Sequence, residues 1–278
     1  YKILFRYCLI IFAIVTFNSC KEGKSSLPGS TGKTAELLIV TEKQLYESNS
    51  GEIMKNVFSQ DVEMLPQIEP IFNPVNISPS DLKGMFKTFR NIFIVEIDPS
   101  LKEATLSVNL DLWAQPQVVI KIVAPADTIL NSLIKEHGKV FVSQYMENER
   151  KRMISAFKGI ENVSIRTKLQ KDFGFGMIFP EGYYVAVQDK DFVWIRKETE
   201  STSHNILIYV QNFSDTMAFD LGRIINLRDS LTKKYIPGPS EGSYMTTERE
   251  FKPINKEINF KGKYAIETRG LWKLGGGC

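Results

Sequence analysis

Phe179–Glu198 reads FPEGYYVAVQDKDFVWIRKE. Within it, Tyr183–Gln188 and Phe192–Arg196 alternate in side-chain character with a period of two, the mark of β-strands that have two distinct faces. Pro180-Glu181-Gly182 breaks the chain before the first strand, and Asp189-Lys190 breaks it between the two. The two strands are therefore read as part of an antiparallel sheet. Upstream, Gly176–Phe179 is a third strand, and downstream Asn205–Gln211 is a fourth. Met217–Tyr235 is amphipathic through Leu221, Ile224, Ile225, Leu231 and Tyr235, and stops at Ile236-Pro237-Gly238-Pro239. This helix is expected to pack on one face of the sheet, with Leu221, Ile224, Ile225 and Leu231 against Val185, Val187, Val193 and Ile195. Phe251–Ile254 and Tyr264–Leu274 are read as closing strands.

The first half opens with a strand at Glu36–Thr41 and a helix after Ser50 that carries Ile53, Met54, Val57 and Phe58. Pro66, Pro70, Pro74 and Pro79 punctuate a surface loop, and Ser80 or Asp81 caps a short helix. Asn91–Ile97 and Gln117–Val123 are strands. Asp127 opens the longest helix, which runs to Lys158 and ends at Gly159, with Gly138 read as a kink. Strands and helices mix without regular βα alternation. The expected class is α+β, with mostly antiparallel sheets and one long helix per half. No fixed-period repeat is present. The expected domains are 34–160 and 161–278, each α+β, the second read as truncated.

Ahead of them, residues 1–20 read YKILFRYCLIIFAIVTFNSC. Lys2 and Arg6 precede an apolar run, Tyr7–Phe17, which has signal-peptide length and is shorter than the ~20 residues of a membrane-spanning helix. Asn18 and Ser19 then lead to Cys20, placed where a lipoprotein signal peptidase needs a lipid-modified cysteine. The reading is a signal peptide over 1–19, lipidation at Cys20 with palmitate among its acyl chains, and a flexible Gly/Ser/Lys tether over 20–33. Lys21 rather than Asp follows the cysteine, which points to the outer membrane, and the periplasmic face is preferred because no acidic run follows.

The chain has 278 residues, a formal net charge of +3 and three cysteines, Cys8, Cys20 and Cys278. None lies between the lipidation site and the C-terminus, so the folded region has no internal disulfide, thiol nucleophile or cysteine metal site. A charge this small, without a clustered basic face, gives no footprint for nucleic acid. The run Glu149-Arg150-Lys151-Arg152 mixes signs and reads as a solvated helix face.

Several strings resemble one family. They are DLWAQPQ (Asp111–Gln117), ENERKR on the long helix, FPEGYYVA with DFVWIRKE, KKYIPGPSEGSYMTTE (Lys233–Glu248) and ETRGLWKL (Glu267–Leu274). Together they resemble the Bacteroidetes lipoproteins catalogued as domain of unknown function 4837, across nearly the whole mature chain. The resemblance implies a Gram-negative envelope lipoprotein and supplies no catalytic residues. Members continue past the strand containing Gly270-Leu271-Trp272, and this chain begins with Tyr, so it is read as truncated at both ends. The order of elements after Phe173 also resembles the Mog1/PsbP-like fold.

Only two histidines occur, His137 and His204, far apart and in polar surroundings. A zinc site needs about four clustered ligands, and the pattern contains none, so no metal and no cofactor is expected. No G-x-S-x-G elbow, P-loop or G-x-G-x-x-G occurs, and no catalytic residue is assigned. Asp111 beside Trp113 would suit a sugar contact. Ile236–Thr247 is the recognition-loop candidate, through Pro237, Gly238, Pro239, Tyr244 and Met245. The function expected is a non-catalytic binding or assembly component of the envelope, attached to the membrane through Cys20, with an envelope protein as partner. A glycan- or solute-binding surface lipoprotein is the alternative, and a carboxylate-dependent envelope hydrolase a third reading. Cys20→Ala is expected to abolish incorporation of a clickable palmitate analogue, and to release the protein from the membrane fraction or leave it unprocessed. Unchanged labelling would overturn the assignment.

Overall fold

The computed structural model describes residues 27–276. The signal peptide and Cys20 lie outside the described residues, as does the tether up to residue 26. The chain divides into two compact units, one made of residues up to Ser50 with Val75–Ser132, the other of Gly51–Pro74 with the chain from Leu133 onward. The divisions fall between residues 50 and 51, 74 and 75, and 132 and 133.

In chain order the first elements are β1 (Glu36–Val40), α1 (Lys43–Tyr46), α2 (Asn49–Phe58), β2 (Asn73–Ile77), β3 (Asn91–Ile97), β4 (Thr105–Leu110) and β5 (Val118–Ala124). They form one five-stranded sheet in the order β2-β1-β3-β5-β4. β1–β3 and β3–β5 are parallel, whereas β4 runs antiparallel to β5. Parallel strands are buried on both faces and need continuous apolar runs. β1 meets this with Leu37, Leu38, Ile39 and Val40, all fully buried. On one face Leu38, Val40, Ile92 and Val119 pack with Leu82, Phe86, Phe89 and Trp113. Phe86 belongs to a 3-10 turn at Gly84–Thr88, the element expected as a short helix. β4 escapes the sequence reading because only one face of TLSVNL is apolar.

Residues 28–31, expected within the flexible tether, are held by the first unit. Ser30 N–H donates to Gln115 O at 3.1 Å, Thr31 N–H to Thr88 O at 2.8 Å, and Gln115 N–H to Pro28 O at 2.9 Å.

The remaining elements are α3 (Asp127–Gly159), α4 (Val163–Phe173), β6 (Tyr184–Gln188), β7 (Phe192–Glu198), β8 (Ser203–Tyr209), α5 (Leu221–Tyr235), β9 (Tyr244–Thr247), β10 (Ile254–Phe260), β11 (Lys263–Arg269) and β12 (Trp272–Gly275). β6-β7-β8 form an antiparallel sheet, and β9–β12 and β10–β11 are two-stranded ribbons. The whole is α+β, with antiparallel pairs in the majority. The strand expected at Gly176–Phe179 is irregular, and Pro180 makes a single bridge to Glu161. The strand expected at Phe251–Ile254 instead begins at Ile254, just after Pro253. It turns at Lys261-Gly262, whose φ values of 52° and 82° suit the two-residue hairpin loop that matches strand twist. The long strand expected at Tyr264–Leu274 is cut at Gly270-Leu271 into β11 and β12.

α4 is a helix the sequence reading misses. The Asn162 side chain caps it by accepting from Ile165 N–H, and Gly174 ends it in the left-handed region at φ 79°. It buries Ile165 and Leu169 against Phe179, Val193 and Ile195, with Val185 alongside. α5 lies on the other face, where Leu231 and Tyr235 pack with Phe192, Trp194, Ala186 and Val187. Val185, Val193 and Ile195 therefore face α4, not α5 as expected. The pairing register shifts between Val185 and Val187, leaving Ala186 as the extra residue of a bulge, so these two valines lie on opposite faces.

Among the described residues no helix is long and apolar enough to cross a membrane. α3 runs through Gly138 without a break, and Gly138 serves a close approach instead of a kink: a Cβ there would sit 2.7 Å from Val57 Cγ1. Nearby, Phe58 and Phe72 meet the buried Tyr145 ring edge-on, at centroid distances of 6.0 and 5.8 Å. Gly138→Ala gains about 1 kcal/mol of helix propensity but overpacks a stiff β-branched neighbour at a cost of about 1–3 kcal/mol. Urea denaturation is expected to show net destabilisation in the wild-type background and stabilisation in a Val57→Ala background. Equal effects in both backgrounds would remove the close-approach explanation.

Candidate functional site

A groove of about 600 Å³ opens in the second unit. β7 supplies Trp194 and Arg196, α5 supplies Arg228, and β12 supplies Trp272 and Leu274. The segment Ile236–Pro239 and Met245 complete the apolar wall. Four of the five expected recognition-loop residues, Pro237, Gly238, Pro239 and Met245, thus line one concave surface. Tyr244 does not line it. Instead, Tyr244 pairs with Pro237, and its ring lies under Lys233 Nζ at 4.9 Å.

The loop is rigid by construction. Gly238 N–H donates to Ser243 O at 2.7 Å, and Ser243 Oγ donates to Ser240 O at 2.6 Å. Gly242, at φ 74°, turns the chain between them. Position 238 requires glycine for space, because a Cβ would fall 2.2 Å from Ser243 Oγ. The Trp194 indole N–H donates to Asn205 Oδ1 at 2.9 Å, which fixes the ring plane, and the Arg196 guanidinium lies 4.9 Å from the ring centroid. Arg196 also pairs with Glu198, while its buried Nε has no protein acceptor. Trp272, 57% exposed, stands open to solvent across the groove. Sequence reasoning missed Trp194, Arg196, Arg228 and Trp272 as groove residues, because β7, α5 and β12 meet only in the folded unit.

Arg228 is aimed by a polar staple between α5 and β9. It donates to Thr247 Oγ1 at 2.9 Å and approaches Met245 Sδ at 3.5 Å. Its neighbour Asp229 accepts from Thr247 N–H at 2.8 Å, Thr247 Oγ1 at 2.7 Å and Arg249 at 2.9 Å. Thr232 Oγ1, buried, donates to Met245 O at 2.7 Å. Burial alone would push the Asp229 carboxyl up, but the Thr247 and Arg249 hydrogen bonds outweigh it and hold the group below the usual carboxylate range.

In the first unit, Asp111 and Trp113 form a turn locked by the buried Gln117. Asp111, at φ 52°, accepts from Gln117 N–H at 2.8 Å, and Trp113 N–H donates to Gln117 Oε1 at 2.9 Å. The indole is partly buried in the core cluster, with Lys87 Nζ 5.6 Å from its ring centroid. One oxygen of the exposed Asp111 carboxylate is thus engaged by the backbone. A second cavity of about 590 Å³ lies at the carboxyl ends of β1 and β3, lined by Thr41, Gln44, Ser48, Glu42, Glu96 and Asp127 among others. The chain leaves these adjacent strands in opposite directions, toward β2 and toward β4, and crevices of α/β sheets form at such points. All three acids are exposed, and Glu96 pairs with Lys121 at 3.1 Å.

His204 is exposed on β8, 3.5 Å from Tyr183 Oη, and His137 is half-buried on α3 beside Phe141. Among the described residues no group of three or more His, Cys, Asp or Glu could hold a metal.

These features define a two-unit α+β scaffold with an open aromatic and arginine-lined groove. Residues 162–277 match the family described as Domain of unknown function (DUF4837). Residues 30–158 match a different family, Domain of unknown function (DUF8532). The resemblance to the first family therefore covers the second half of the chain and not nearly all of it; DLWAQPQ and ENERKR fall within the other match. No curated protein and no solved structure matches the chain.

Because the folded-state Asp229 carboxyl titrates below its unfolded value, its contribution is present above the ordinary carboxylate range and is lost as pH falls through the depressed value. Asp229→Asn is expected to cost about 1–3 kcal/mol at neutral pH. In urea titrations the gap from wild type should narrow below about pH 4. A gap independent of pH would show that the ionised carboxylate is not what stabilises the staple.

Proposed function

We propose that the protein is an outer-membrane lipoprotein of the Bacteroidetes envelope, anchored through lipid on Cys20 on the periplasmic face. Its role is to bind an envelope protein rather than to catalyse a reaction. The carrying observation is the groove of the second unit. Trp and Arg in a concave, partly desolvated setting are the residue types that dominate binding energy at protein interfaces. Prolines at 237 and 239, with the hydrogen-bonded turn, hold the wall in place before binding, and this lowers the ordering cost.

Glycan or solute binding is the second reading. It is supported by Trp194 and Trp272 lining one groove, since flat rings stack on sugars. The acids of the first unit's crevice are where a hydrolase reading would look. Their exposure and the Glu96–Lys121 pair suit a solvated rim.

Affinity capture of the tagged full chain from detergent-solubilised outer membrane is expected to recover a reproducible protein partner. Trp272→Ala should weaken that capture by about 2 kcal/mol or more, roughly thirty-fold, while Glu42→Gln leaves it unchanged. Capture indifferent to Trp272→Ala would refute the groove as the binding surface, and a saccharide eluting the chain would favour the second reading.

A further inference from the structure

Natural sheets protect their edges with charges, prolines, bulges or a covering element, because an open edge offers unpaired N–H and C=O groups to any strand that fits. The five-stranded sheet treats its two edges differently. β2 carries Pro74 and is hydrogen-bonded from Asn76 across to β1. β4, Thr105-Leu106-Ser107-Val108-Asn109-Leu110, contains no charged residue and no proline, and its pairing with β5 runs without a bulge. Five of its six residues are exposed, with Leu106 at 40%, Val108 at 45% and Leu110 at 60%.

The direction of the open groups follows from the ladder. Asp111 N–H donates to Gln117 O, so the peptide linking residues 110 and 111 turns its N–H toward β5 and its C=O away. Antiparallel strands alternate hydrogen-bonded and non-hydrogen-bonded residues. Leu106, Val108 and Leu110 therefore point both N–H and C=O outward from the sheet. Their side chains share the face of Ile122, Ile120 and Val118, their partners on β5.

We propose that β4 is a homodimerisation edge: two copies pair β4 to β4, antiparallel about a two-fold axis at Val108, and join two sheets into one of ten strands. The segment is self-complementary in this register. Val108 faces Val108 of the second copy, Leu106 faces Leu110, and Ser107 faces Asn109, so apolar meets apolar and polar meets polar. All three outward residues become hydrogen-bonded pairs, with two bonds each. The neighbouring register, centred on Ser107, joins only Leu106 with Val108 and leaves Leu110 unpaired. A two-fold axis requires such an isologous contact, in which one patch fits itself. The absence of charge on the strand removes the repulsion that would otherwise oppose two identical edges.

The test uses the full chain in non-ionic detergent. Sedimentation velocity under reducing conditions is expected to show a monomer–dimer equilibrium at concentrations up to about 100 μM. Val108→Pro removes an outward N–H without touching the β4–β5 ladder, a position where an edge strand tolerates proline. It should shift the equilibrium at least ten-fold toward monomer at an unchanged thermal midpoint. Leu106→Lys with Leu110→Lys, which sets like charges opposite one another, should do the same. In a full chain also carrying Cys8→Ser, Cys20→Ser and Cys278→Ser, Val108→Cys should form a disulfide dimer on mild oxidation. Hydrogen-bonded pairs place Cα atoms about 5.5 Å apart, within disulfide reach. Ser107→Cys should not cross-link in the same way. A wild-type chain that stays monomeric, a Val108→Pro chain that dimerises equally well, or cross-linking at Ser107 in place of Val108 would overturn the proposal.

Discussion

Strand β7 is closed on both faces, and the second unit is organised around that constraint. Phe192, Val193, Trp194 and Ile195 are all buried, so each side of the three-stranded sheet needs its own cover. α4 supplies one and α5 the other. The adjoining strand β6 could not serve both layers with strict alternation, because Val185 and Val187 would then share a face. The extra residue at Ala186 resolves this by sending one valine to each helix. A single bulge thus converts a one-sided sheet, as read from the sequence, into the middle layer of three.

With the sheet covered on both sides, the far end of α5 is placed beside the groove. Phe192 stacks on Tyr235 with ring centroids 3.9 Å apart and an interplanar angle of 8°, and the Tyr235 hydroxyl donates to Asp189 at 2.6 Å. Those contacts fix where the helix stops, and hence where Ile236–Pro239 begins. The Asp229 and Thr232 bonds fix β9 to the same helix. The groove lies between two positioned parts: Trp194 belongs to the core beneath it and Arg228 to the staple beside it, whereas Trp272 stands clear of both. Trp272 is exposed on β12 and adds little to the packing.

The helices that end in clear signals were legible. Asp127 and Gly159 bound α3 as read, and the α5 stripe stops at the expected Ile236-Pro237 break. α4 was not legible from periodicity, because VSIRTKLQKDF buries only Ile165 and Leu169, and its evidence lay in the caps at Asn162 and Gly174. β4 was missed for a related reason, since a strand with one open face shows little apolar enrichment. The loop at Pro237–Met245 was visible from its turn residues. The rest of the groove was not, because Trp194, Arg228 and Trp272 are separated by tens of residues and meet only through tertiary packing. Asp111 and Trp113 show the converse. Their adjacency was legible, whereas the buried side chain of Gln117 that positions both was not.

The fit of Gly238 against Ser243 bears on how the groove can change over evolutionary time. A hypothetical Cβ at 238 would lie 2.2 Å from the serine oxygen and 2.9 Å from its Cβ, so that position cannot change alone. A larger residue at 238 would first require the loss of the Ser243 hydroxyl, and with it the bond that closes the turn. The groove's wall is therefore fixed at 238, whereas Trp272 and Leu274 on the opposite lip carry no such steric constraint. Change in the groove's shape is open at the β12 lip and closed at the proline wall.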